Sequence, residues 1–176
     1  MTDTKSKVLV AYATWAGSTA GIAERIAEVL NRNGFAAEAV RARDVRDASR
    51  YDAVVLGTAV HAGRLHRDAL KFAGRNAAAL GTKPFAAFVV CLAMTATDEK
   101  GRTQAATYLE PVRRQAKPMS EGYFAGAYDP QKAGFVARQI MKMIKAPPGD
   151  FRKWDEIETW ATSLIPLLGS RPATAG

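Results

Sequence analysis

Residues 8–30 read VLVAYATWAGSTAGIAERIAEVL. The opening residues are apolar and partly β-branched, as a strand buried on both faces requires. Ile22, Ile26 and Leu30, with Ala23 and Ala27, then recur at helical spacing. Between the two lies Thr14-Trp15-Ala16-Gly17-Ser18-Thr19, a loop of small and hydroxyl residues around one aromatic. A buried strand that turns directly into an amphipathic helix is the opening of a βαβ unit.

The rest of the chain repeats this grammar. Apolar runs recur at Ala53–Gly57, Phe85–Leu92 and, more weakly, Gly122–Gly126, and a polar-alternating run occupies Phe35–Val40. Leu70, Ala73, Ala77 and Leu80 form a second helical stripe, and Ile157, Trp160, Ala161, Leu164 and Leu168 a last one. Strands alternating with helices of this length predict an α/β fold, a doubly wound parallel sheet with helices on both faces. Five strands point to the flavodoxin-like order 2-1-3-4-5 rather than the longer dinucleotide-binding sheet. Ligands of such sheets bind beyond the carboxyl ends of the strands, where the order reverses. The loops after the first, third and fourth strands are therefore the functional ones.

At 176 residues, the length suits one domain spanning 1–176, with an ordered core at about 6–168 and a flexible tail at 169–176. Neither end has the architecture of an export signal, and no apolar run approaches the roughly 20 residues of a membrane span. Cys91 is the only cysteine, so the chain can form no internal disulfide, which suits a cytoplasmic location. Its place in FAAFVVCLA (85–93) marks it as a core thiol. The net charge of +8 admits anionic ligands, acidic proteins and anionic lipid as partners. Its scatter over many elements, with no zinc finger or aromatic RNA-binding signature, argues against nucleic acid.

The loop at 14–19 has the properties of an anion site. A helix N-terminus presents unpaired N–H groups and partial positive charge, and small hydroxyl residues let those groups close on a phosphate. The simpler reading is that Ser18 or Thr19 merely caps the helix. Rival phosphate sites are excluded by residue type: there is no G-x-x-x-x-G-K-[ST] and no G-x-G-x-x-G, and the loop carries no nucleophilic cysteine.

This loop resembles the phosphate loop of flavodoxins, [ST]-x-T-G-x-T. It is closer to the variant in flavodoxin-type, quinone-linked protoporphyrinogen oxidases, where one residue precedes the Gly. Thr14 would open the loop, Gly17 make its turn and Thr19 close it. VVLGTAVHAGRLHRDALKF (54–72) resembles the second flavin loop of the same family, with Gly57, Gly63 and His66 in matching places. YFAGAY (123–128) and RQIMKMIKAPPGDFRKWDEIETWA (138–161) resemble its C-terminal third. The resemblance implies FMN as cofactor, held by Thr14, Trp15, Ala16, Gly17, Ser18 and Thr19 around the phosphate. Thr58, Ala59, Val60, His61, Ala62 and Gly63, with Ala93, Met94 and Thr95, would surround the rest. No side chain is marked as a catalytic acid or base.

The chain departs from this pattern in three places. The loops at 58–65 and 93–98 lack the aromatic residues that ordinarily stack on the flavin, so His61 or Trp15 would have to substitute. Ordinary flavodoxins are acidic, whereas this chain is basic. The stretch before the last helix is shortened to GDFRKWDE (149–156).

Among other constellations, His61 and His66 lack the neighbouring ligands that a metal would need, Asp68 apart. Arg64 and Arg67, near Lys71, suit a carboxylate-bearing substrate such as a porphyrinogen, or form a solvated helix face. In KAGFVARQIMKMIK (132–145), Val136, Ile140, Met143 and Ile144 oppose Arg138, Lys142 and Lys145. That segment reads as a core-packing helix, as one resting on an anionic membrane, peripheral at its inner face, or as one lining the entrance for a large apolar substrate. TATDEKGRTQ (95–104) reads as a polar surface loop. The expected function is an FMN-binding oxidoreductase with a quinone or other electron acceptor. The alternatives are an electron carrier for a redox partner protein and a flavin-free binding module on the same fold; a homodimer is an admissible assembly of any of them.

Overall fold

The computed structural model describes residues 4–95, 98–143, 145, 147–148 and 149–169. Ile144 and residues 170–176 of the expected tail lie outside the described residues, as do residues 96 and 97 of the loop after the fourth strand. In chain order the elements are β1 (Lys7–Ala13), α1 (Ser18–Arg32), β2 (Ala36–Arg41), β3 (Ala53–His61), β4 (Arg64–Leu65), α2 (Arg67–Arg75) and α3 (Ala77–Thr82). There follow β5 (Phe85–Val90), α4 (Glu99–Tyr108), α5 (Glu110–Arg113), β6 (Ser120–Phe124), β7 (Ala127–Tyr128), α6 (Phe135–Met143), β8 (Gly149–Asp150) and α7 (Trp154–Leu168).

Five strands pair in the order β2-β1-β3-β5-β6, all parallel, which is the doubly wound order read from the sequence. Alternate residues of each central strand face opposite helical layers, and both sets are apolar. Val8 and Val10 of β1 pack with Ile22, Ile26 and Leu30 of α1 and Ile157 and Leu164 of α7. Leu9 and Ala11 pack on the other face with Phe72, Leu80, Leu109 and Val112. In the first layer the rings of Phe88, Phe124 and Trp160 meet with centroids 5.6–5.9 Å apart. That arrangement needs glycine at position 57, because a Cβ there would lie 2.1 Å from Phe88 Cζ.

Three stretches differ from their sequence reading. The run 95–104, expected as a polar surface loop, is helical from Glu99 onward, where α4 starts behind Asp98, whose Oδ1 accepts from the Gly101 N–H at 2.9 Å. The stripe from Leu70 to Leu80 is broken into α2 and α3 at Asn76, which is nearly fully buried. Its Oδ1 accepts from the Ala48 N–H at 3.0 Å and its Nδ2 donates to the Phe72 carbonyl at 3.0 Å, tying a distant loop into the helix break. The third strand runs on past Gly57 to His61, and β4 folds back on it. The turn between them has Ala62 at φ 49° and Gly63 at φ 74°. Two consecutive left-handed residues make the tight hairpin that holds His61 opposite Arg64.

Candidate functional site

The carboxyl ends of β1, β3 and β5 converge at one edge of the sheet, and the loop at 14–19 lies across it. Gly17 is the residue preceding α1, in the left-handed region at φ 92°, where a side chain would be strained. Its N–H donates to Thr14 Oγ1 at 2.9 Å, which closes the loop on itself. No side chain caps α1, and no acidic residue lies in its first turn. Ser18 and Thr19 are thus the first helical residues, not its caps, and the positive end of the helix is left uncompensated. Thr19 is fully buried, and its Oγ1 is the buried side-chain polar atom left without a hydrogen-bond partner among the described residues. Leaving such a group unpaired costs about 1–3 kcal/mol.

Beside the loop opens a cleft of about 110 Å³. The loop contributes Thr14, Trp15, Ala16 and Ser18 to its wall, and the end of β3 contributes Ala59, Val60 and His61. Val90, Cys91 and Leu92 form the third side. Gly126 closes in against the loop, where a Cβ would stand 3.2 Å from Ser18 Oγ and 2.9 Å from Val90 Cγ1. Burial pushes the Cys91 thiol up, so it stays protonated and inert at neutral pH. The fourth wall comes from Tyr128 on β7 and from Ala133, Ala137 and Met141 around α6.

Of the residues expected at the site, Thr14, Trp15, Ala16, Ser18, Ala59, Val60 and His61 line this one cleft. Gly17 and Thr19 shape the loop from beneath, Thr58 is buried in β3, and Ala62 and Gly63 form the hairpin tip. Ala93, Met94 and Thr95 follow Leu92 in a tight helical turn, braced by Thr95 Oγ1 donating to the Leu92 carbonyl at 2.7 Å, but they lie outside the lining of this cleft. Arg64 and Arg67 are exposed and lie outside the cleft lining. Trp15 packs against two imidazoles, its centroid 5.2 Å from that of His61 and 4.4 Å from that of His66.

Tyr128 supplies an aromatic ring that the loops at 58–65 and 93–98 lack. It went unread because β7 is two residues long, too short to show a period. Met141 and Ala137 were legible only as members of an amphipathic helix whose inward face was misassigned. The larger apolar residues of α6 point away: Phe135, Val136 and Met143 are 69, 68 and 82% exposed, while Met141 is buried. The segment is therefore not an ordinary core helix but the roof of the cleft, with an apolar outer face.

Comparison with known proteins agrees with this geometry. The family model described as the flavodoxin domain matches residues 9–154. The chain is 25% identical over 174 residues to protoporphyrinogen IX dehydrogenase [quinone] of Escherichia coli strain K12, an alignment covering 92% of this chain and 96% of that protein. Oxidised flavodoxin 1 of Bacillus cereus superposes with a TM-score of 0.60 at 17% identity, over 93% of this chain and 100% of that one. The apo form of an NADH:FMN oxidoreductase gives a TM-score of 0.56 at 15% identity, covering 97% and 94% of the two chains. At those identities the two solved structures speak for the fold.

Proposed function

We propose that this chain, which belongs to the flavodoxin domain family, is an FMN-dependent oxidoreductase that takes electrons from an anionic, porphyrinogen-like substrate and delivers them to a quinone. The observation that carries the cofactor is the orphaned, buried Thr19 hydroxyl at the uncapped N-terminus of α1. The substrate class is supported by the 25% identity to a quinone-linked protoporphyrinogen dehydrogenase over nearly the whole of both chains.

FMN, when bound, supplies the redox chemistry; the protein supplies anchoring, orientation and environment. The first-turn amides of α1, with the Ser18 and Thr19 hydroxyls, hold the phosphate, and no acidic side chain opposes it there. Trp15, His61 and Tyr128 offer flat rings around the cleft, and Ala137 and Met141 exclude water from its roof. No carboxylate lines the cleft among the described residues, and His61 is its one imidazole.

A quinone in a lipid phase requires the site to approach a membrane. Among the described residues no helix is long and apolar enough to cross one. The exposed Phe135, Val136 and Met143, with Arg138 and Lys142 on the same short helix, support contact from the surface. The test of the cofactor is a visible absorption spectrum of the purified protein, repeated after incubation with FMN and desalting. Retained flavin bands that bleach anaerobically with porphyrinogen and return on adding quinone support the whole reading. A colourless protein that also refuses FMN overturns it, leaving the fold alone.

A further inference from the structure

A second cleft, of about 80 Å³, opens at the carboxyl ends of β1 and β2. Its lining includes Thr14, Arg41, Arg43, His66 and Asp68. Thr14 lines both clefts, and the Trp15 ring in the first lies 5.2 Å from that of His61 in the same cleft and 4.4 Å from that of His66 in the second. Arg41 ends β2 opposite Tyr12. Arg43 follows on a tight helical turn, Ala42–Asp44, that is fastened from behind: Ala42 is fully buried, and Arg75 of α2 donates to the Val45 carbonyl at 2.8 Å.

The cleft is rich in donors with few acceptors to satisfy them. Arg41 forms no ion pair among the described residues, and the Arg43 guanidinium has only Asp44, 3.7 Å from its Nε with both side chains well exposed. Thr14 Oγ1 accepts from the Gly17 N–H, which leaves its own proton to donate. His66 Nδ1 accepts from the Asp68 N–H at 3.2 Å, which places the ring proton on Nε2. Burial and the Arg43 charge press the His66 imidazolium down, against the pull of Asp68, so the ring is neutral and a donor at neutral pH. Asp68 is the one carboxylate in the lining, set against two guanidinium groups.

We propose that this basic cleft is the carboxylate subsite of the substrate. Arg41 and Arg43 take a propionate-like carboxylate while the apolar body of the molecule lies over Trp15 toward the flavin cleft. The assignment rests on the oxidoreductase reading of the neighbouring cleft. It moves the anion-binding role from Arg64 and Arg67, which lie outside both linings, to two arginines at the end of the second strand. Guanidinium and carboxylate match in geometry, and a charge-assisted pair is worth roughly tenfold in affinity.

The test is fluorescence titration of mesoporphyrin IX, which carries two propionates, and of its dimethyl ester, against the protein loaded with FMN. Wild type should bind the free acid more tightly than the ester by about tenfold or more, and Arg41→Gln/Arg43→Gln should abolish that preference. FMN affinity and melting temperature should not change in the double variant. A preference for the acid that survives the double substitution overturns the proposal. So does a parallel loss of FMN affinity, which would give these arginines to the flavin phosphate. Tighter binding of FAD than FMN by wild type, erased in the double variant, would assign the cleft to a second phosphate and overturn it likewise. If the protein retains no flavin, the oxidoreductase reading fails by itself; the acid-against-ester comparison, which needs no flavin, still decides the subsite.

Discussion

Thr19 contributes to two opposing tendencies. Its hydroxyl is fully buried without a partner, which weakens the fold, and it sits in the first turn of α1, where an anion needs donors. Thr19→Val keeps the shape and removes the polar atom. The variant protein without FMN should be as stable as wild type or more so, by up to about 1–3 kcal/mol in urea unfolding. FMN affinity should fall by about tenfold or more, read by quenching of flavin fluorescence. A loss of stability in the flavin-free variant would mean that the hydroxyl has a structural partner, and the loop assignment would lose its main support. The sequence exposed this residue well, because loop chemistry is local: Thr14, Gly17, Ser18 and Thr19 can be read from types and spacing. It did not expose Arg41 and Arg43, since nothing in the order of residues says that the end of β2 lies beside Thr14. That neighbourhood arises from β1–β2 pairing, Tyr12 against Arg41.

At the scale of elements, the strands were legible because both faces of β1, β3 and β5 are apolar, and α1 because a single stripe faces the sheet. The boundary between α2 and α3 was not, since it depends on Asn76 bonding to Ala48, a contact 28 residues away. The inward face of α6 is hidden in the sequence for another reason. Hydropathy weighs large side chains most, and here small Ala133 and Ala137 and flexible Met141 turn inward while Phe135 and Val136 turn out. The outer strand β6 is tied to α5 by electrostatics. Arg113 donates to both oxygens of Glu121, each at 2.7 Å, and Tyr123 donates to the same carboxylate. Arg113 first, then the Tyr123 hydroxyl, holds the Glu121 carboxyl below its usual 4.5, against the effect of burial. Its contribution to stability is therefore present above pH 4.5 and is lost as pH falls through the lowered folded value. Burial first, then the Glu121 bond, pushes the Tyr123 phenol up to about 12 from 10.0, so its contribution holds below pH 10.0 and is lost as pH rises toward 12. Urea midpoints measured across pH should show wild type losing its advantage over Glu121→Gln toward the acid end. A pH-independent difference between the two would mean that Glu121 acts through packing and not charge.

Across the whole molecule, charge and exposed apolar surface meet at the same end. The chain carries +8 overall. Trp15, Phe135, Val136 and Met143 account for most of the exposed large hydrophobic side chains among the described residues, and Trp15 and α6 both border the cleft beside the loop at 14–19. Arg138 and Lys142 stand on α6, and Lys132 just before it. An anionic bilayer would satisfy both features together. Fully burying a large apolar side chain yields about 1.5–3 kcal/mol, and each basic group near an anionic surface about 1 kcal/mol. The protein should therefore sediment with vesicles rich in phosphatidylglycerol, bind those of pure phosphatidylcholine weakly, and lose most of the difference as salt screens the surface. Phe135→Ser/Met143→Ser should lower the partition coefficient by about tenfold or more, because two of the insertable side chains are gone. Both residues are largely exposed, so melting temperature should stay near that of wild type, and the inward Met141 keeps the roof of the cleft in place. Equal binding by the double variant and wild type would show that charge alone draws the protein to lipid. The apolar face of α6 would then be left to a protein partner, and a quinone would have to reach the flavin by another route.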